Sequence, residues 1–149
     1  MALFTADITI DCPPQQAFDF LTRPTNILEV SPPETGLSYR ETPEVYHLDA
    51  IIKFAIVSFG QPREVVHKVT EFKSPEYFVE EMIDGPVPFW KYTHRFEPEG
   101  SGVRVVDEIE FEPPGGLLGM IVTESRILDN LEDGFDHRYA RLEKLLSQS

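Results

Sequence analysis

Two runs decide how this chain folds: Phe89–Trp90–Lys91–Tyr92–Thr93–His94–Arg95–Phe96 and Val103–Arg104–Val105–Val106–Asp107–Glu108–Ile109–Glu110–Phe111. Pro98, Glu99, Gly100, Ser101 and Gly102 stand between them. Both runs alternate with period two, and Gly/Pro-rich punctuation between such runs predicts a β-hairpin. In the second run Val103, Val105, Ile109 and Phe111 share one face, with Arg104, Glu108, Glu110 and Glu112 on the other. The apolar face must be the covered one, and Asp107 falls on it. In the first run Trp90, Tyr92, His94 and Phe96 share a face, leaving Lys91, Thr93 and Arg95 outside. A tight turn near Gly100 and Ser101 sets His94 opposite Asp107 and Trp90 opposite Phe111. Face pattern and turn register therefore both place a His–Asp pair inside.

Upstream of the hairpin the same period recurs. Phe4, Ala6, Ile8 and Ile10 alternate with polar residues, which predicts a first strand. Asp11–Cys12–Pro13–Pro14 opens a short helix with Ala17, Phe18 and Leu21 on its apolar side, because proline is tolerated in a first turn. Pro24 interrupts it, and a second short helix is expected over 26–30, stopped by Pro32 and Pro33. Strands are expected over 37–41, 48–59 and 63–72. In the longest of these Leu48, Ala50, Ile52, Phe54 and Ile56 share a face; in the next Val65, His67 and Val69 do. Residues 77–84 form a further strand with two open phases: Phe78, Glu80 and Met82 inward, or Val79 and Ile83 inward. Turn residues separate these runs at short intervals, which favours an antiparallel meander.

After Pro113–Pro114–Gly115–Gly116 the period becomes helical. Ile121, Leu128, Leu131, Phe135, Leu142 and Leu145 or Leu146 recur at helical spacing, which predicts one long helix. Gly134 inside it implies a bend or a close approach, since glycine there costs about 1 kcal/mol relative to alanine.

Composition narrows the function. The chain has 149 residues, 41% hydrophobic and 11% aromatic, enough for one domain spanning 1–149 with a genuine core. No apolar run reaches the roughly 20 residues of a membrane span. Residues 1–10 lack the basic and long apolar regions of an export signal, and the single cysteine, Cys12, forms no internal disulfide; a cytoplasmic protein is expected. A formal charge of −13 disfavours nucleic acid and anionic membranes as partners. No metal is expected, since there is no HExxH, paired-Cys motif or close His–His spacing. No cofactor is expected either: the glycines at 115, 116 and 119 lack the lysine of a phosphate-binding loop. A serine nucleophile elbow is likewise absent.

The expected order is strand, two short helices, six strands and a long C-terminal helix. A twisted antiparallel sheet with one apolar face can only be covered by that last helix, and the two would enclose space between them. This α+β arrangement resembles the helix-grip fold of the START-like (SRPBCC) superfamily, shared with the birch-pollen allergen. Two groups of residues sharpen the likeness. Ile10–Asp11–Cys12–Pro13–Pro14, Phe18, Asn26–Ile27 and Pro32–Pro33 resemble the opening of its polyketide cyclase/dehydrase-like, ligand-binding branch. Gly85–Pro86, Trp90, Thr93–His94–Arg95–Phe96, Gly102, Asp107, Phe111, Pro113, Gly115 and Gly119 resemble that branch's second half. Met82 departs from the pattern, because relatives tend to carry glutamine there. The resemblance implies an internal cavity for a hydrophobic molecule, aromatic or polyketide-like ones included.

Candidate ligand contacts are Trp90, Tyr92, His94, Phe96, Asp107, Phe111, Glu80, Met82, His67 and Phe54. His94 and Asp107 would orient ligand oxygens. In a second reading they are the acid/base pair of a metal-free cyclase or dehydratase, with the carboxylate orienting the imidazole. Each ring could equally be ordinary core, and the His–Asp pair could simply satisfy itself. A third reading is an acidic interaction module whose own side chains fill the cavity.

Overall fold

Seven strands carry the expected alternation: β1 (Ala2–Ile10), β2 (Ser38–Glu41), β3 (Ile51–Ser58), β4 (Gln61–Lys73), β5 (Tyr77–Asp84), β6 (Phe89–Glu99) and β7 (Gly102–Glu112). The computed structural model describes residues 1–58 and 60–147. The strands form one antiparallel sheet in the order β1-β7-β6-β5-β4-β3-β2. Glu99 pairs with Gly102 across a two-residue turn, so the hairpin brings His94 opposite Asp107 and Trp90 opposite Phe111. Gly100 makes this turn with φ of 58°, a left-handed conformation that glycine adopts without steric cost.

Two short helices follow β1: α1 (Pro14–Leu21) and α2 (Pro24–Val30), each with proline in its first turn. Ala17, Phe18 and Leu21 are buried, as their spacing predicts. Phe18 anchors the core here, with edge-on contacts to Phe72 and Phe96 at centroid distances of 5.3 and 5.2 Å. Burying such a ring contributes roughly 1.5–3 kcal/mol. A second apolar cluster, built on Tyr92, Ile109, Phe111 and Phe135, joins β6 and β7 to the C-terminal helix.

The C-terminal region differs from the single helix expected. It is divided into α3 (Gly116–Ile121) and α4 (Glu124–Leu146). Thr123 starts the second helix, its side-chain oxygen accepting from the Arg126 backbone N–H at 3.3 Å, and such a cap ends any continuous period. Ile121 consequently leaves the apolar stripe and is 52% exposed. Of the two candidate terminal positions, Leu146 is buried and Leu145 is exposed.

Two strand expectations also change. The third strand starts at Ile51 rather than Leu48, because Asp49 has φ of 67° and breaks the extended run. Phe59, placed at that strand's end, lies outside the described residues. In β5 the phase with Phe78 and Glu80 inward prevails: Ile83 is 58% exposed, whereas Phe78 and Glu80 are buried. Val79 is also buried, beside a register irregularity between Val69 and Glu71.

Candidate functional site

A cavity of about 720 Å³ lies between the sheet and helices α3 and α4. The sheet contributes Phe54, Val65, Met82, Trp90 and Tyr92, and the helices add Leu118, Leu131 and Phe135. These side chains come from the inward phase of their strands, from α3 and from one stripe of α4, so the cavity follows from period two meeting period 3.6. It exceeds the roughly 300 Å³ at the small end of ligand pockets. The protein's own side chains do not fill it.

Buried polar groups stand along one side of this space. Glu80 receives a hydrogen bond from His67 Nδ1 at 3.2 Å and one from His94 Nε2 at 2.7 Å. Burial alone would raise the Glu80 carboxyl, but these two donors outweigh it and hold the group well below the usual carboxylate range. Asp107 is fully buried and accepts from Tyr92 OH at 2.7 Å and from Tyr139 OH at 2.6 Å. Burial, reinforced by that carboxylate, pushes both phenols above their ordinary values. The His94 ring lies between Tyr92 and Phe78, at centroid distances of 3.6 and 4.0 Å with interplanar angles of 15° and 11°.

The His94–Asp107 juxtaposition is present, but its closest contact is long. His94 Nδ1 lies 3.7 Å from Asp107 Oδ1 and has no hydrogen-bond partner. The short bond of His94 goes to Glu80 instead. Of the candidate contacts, Phe54, His67, Met82, Trp90 and Tyr92 line the cavity. Glu80, His94, Phe96, Asp107 and Phe111 are buried beside it and are not among its lining residues. Phe96 belongs to the core around Phe18, and Phe111 packs against Trp90 at 5.7 Å.

Two residues escaped the sequence reading, Arg138 and Tyr139. Arg138 lines the cavity and lies 5.6 Å over the Phe135 ring, while its Nε and Nη2 are closed to water and have no hydrogen-bond partner. Burial favours the neutral guanidine, yet the neighbouring Tyr92, Asp107, Tyr139 and Glu80 oppose it, and the group stays firmly charged. The signal was there: Leu131, Phe135, Arg138 and Leu142 are spaced four, three and four apart, so a charge occupies the apolar stripe.

Sheet, gripped helix and intervening cavity define a helix-grip protein. The family model described as "Polyketide cyclase / dehydrase and lipid transport" matches residues 1–143, and the chain belongs to that family. Among solved structures it is similar to protein CV1439 from Chromobacterium violaceum, at 14% identity over 100% of both chains with a TM-score of 0.76. It is also similar to TTHA0849 from Thermus thermophilus, at 16% identity over 97% of this chain and 99% of the other, TM-score 0.72. The Aha1 dimer from Colwellia psychrerythraea shares the fold at 13% identity over 99% of this chain and 98% of the other, TM-score 0.69. No curated protein matches. Among the described residues, no helix is long and apolar enough to cross a membrane.

Proposed function

We propose that this protein binds a small hydrophobic molecule in the cavity between the sheet and α4. The observation that carries this reading is an unfilled volume of about 720 Å³ walled by Phe54, Met82, Trp90 and Phe135. Aromatic and aliphatic walls with a few polar groups suit a flat apolar ligand, which gains roughly 25 cal/mol for each Å² of apolar surface removed from water. His67 supplies one polar group. Its Nδ1 donates to Glu80 and its buried Nε2 has no partner, so a ligand hydroxyl reaching Nε2 would donate to it in the neutral ring.

Native mass spectrometry of freshly purified protein, followed by organic extraction, tests the reading. A stoichiometric apolar adduct is expected. Leu131→Trp, which puts an indole into the cavity, should abolish uptake while leaving cooperative unfolding intact. Undiminished uptake by that variant would place binding elsewhere.

One observation favours a second reading, acid/base chemistry on the bound molecule. His67, Glu80 and His94 are joined by two consecutive hydrogen bonds, and His67 lines the cavity. A carboxylate-oriented imidazole can move a proton at an enolisable carbon, as cyclisation or dehydration of a polyketone requires. In this reading His67 meets the ligand, while His94 and Asp107 act from behind it. Turnover of a supplied polyketone should vanish in His67→Gln and fall in His94→Gln, with both variants folded. Equal turnover in all three proteins would remove the enzyme reading.

A further inference from the structure

The cavity wall is proportionally richer in basic side chains than the molecule as a whole. Over the whole chain acidic side chains outnumber Lys and Arg by 26 to 13. Along the cavity that excess shrinks: Arg63, Arg126 and Arg138 line it with Glu34 and Asp133, and Glu80 and Asp107 are buried beside it. His67 and His137 line it as well. A chain that is acidic overall thus places three arginines along this apolar cavity.

Arg138 is the most informative of these. Its unpartnered nitrogens, Nε and Nη2, belong to the same edge of the guanidinium. That edge offers two parallel N–H groups, the geometry that meets both oxygens of a carboxylate side-on. A buried charged donor without a partner is costly, so a group able to meet this edge would be bound strongly. The carboxylates already inside do not meet this edge: Glu80 accepts from His67 and His94, Asp107 accepts from Tyr92 and Tyr139, and no hydrogen bond joins either to Nε or Nη2.

We infer that the cavity takes a hydrophobic carboxylic acid, with its apolar body along the sheet and its carboxylate on the Nε–Nη2 edge of Arg138. The inference rests on the cavity-binding reading above and names the chemical class that this site selects. Arg138 already lines the cavity, and the assignment requires its side chain to turn so that the closed edge meets the ligand. The apolar wall supplies affinity; the guanidinium supplies the choice of acid over ester or alcohol.

The test compares matched probes on the purified full chain by isothermal titration calorimetry. The probes are 2-naphthylacetic acid with its methyl ester, and decanoic acid with its methyl ester. The wild type should prefer each acid by about tenfold or more, the scale of a charged hydrogen bond. Arg138→Gln should lose that preference while keeping its affinity for the esters, and Arg138→Lys should retain part of it. Equal binding of acids and esters by the wild type would overturn the carboxylate assignment and leave a neutral apolar pocket. A preference that survives in Arg138→Gln but disappears in Arg63→Gln or Arg126→Gln would overturn the role of Arg138. Binding of none of the four probes would overturn both this assignment and the cavity-binding reading. Urea unfolding of each variant confirms that a lost preference is not lost structure.

Discussion

Glu80 is buried and has an imidazole on each oxygen. A carboxylate so placed is stabilised only while its donors remain, and removing one partner of a buried pair typically costs about 3–5 kcal/mol. Its folded-state carboxyl lies below the ordinary value of 4.5. The stabilisation it brings is therefore complete above that pH and is lost as pH falls through the lower folded value. Urea unfolding of the wild type should accordingly weaken steeply below about pH 4.5. Glu80→Gln should be less stable at neutral pH by about 3 kcal/mol, with a shallower decline on acidification. An unchanged acid slope in the variant would assign the decline to other carboxylates. The hairpin is legible residue by residue because alternation and a two-residue turn leave little freedom. What the sequence leaves open is the partner: Glu80 lies on a strand whose inward phase depends on its pairing with β6, where Phe78 faces His94. No local pattern in 77–84 chooses that phase.

At the scale of elements, α4 carries two features with opposite consequences. Thr123 caps its first turn through the Arg126 N–H. Thr123→Ala should lower stability by about 1 kcal/mol, read as a shift in the urea midpoint with an unchanged slope. Gly134 sits within the helix, and a Cβ built there would meet only Pro32 Cγ at 3.8 Å, an ordinary van der Waals contact. The approach is real but leaves room for a methyl group. Gly134→Ala should therefore stabilise the protein by up to about 1 kcal/mol; a loss would mean that this contact is tighter than its geometry indicates. The same helix marks a limit of pattern reading. Ile121 satisfies the 3.6 period and yet belongs to α3, because hydrophobic spacing does not register a cap that restarts the backbone. Asp49 is the strand equivalent: side-chain alternation runs through 48–50, but a left-handed residue ends the extended backbone there.

For the whole molecule, charge and cavity act against compactness. A net charge of −13 on 149 residues produces self-repulsion that salt screens. The surface ion pairs, such as Arg40 with Glu64 at 3.5 Å and Lys53 with Glu41 at 3.3 Å, are each worth little when exposed. Melting temperature should rise as sodium chloride increases toward about 0.5 M, because screening the repulsion outweighs weakening those pairs. A fall would show that attractive pairs dominate. The architecture was legible at this scale because only one element was long enough to cover the sheet. The position of the cavity was not, since it depends on sheet twist and on where α4 comes to rest. Hence rings such as Phe96 and Phe111 share an inward phase with Trp90 and Tyr92 yet end in solid core.

Trp90, the sole tryptophan of the chain, lines the cavity wall. The molecule thus contains its own spectroscopic reporter, since all indole emission comes from one fluorophore at the place where a guest would sit. A cavity holding water should give a red-shifted band open to acrylamide quenching; a cavity holding an apolar guest should give a blue-shifted, protected one. Occupancy can therefore be followed in real time, without a label and without knowing in advance what the guest is.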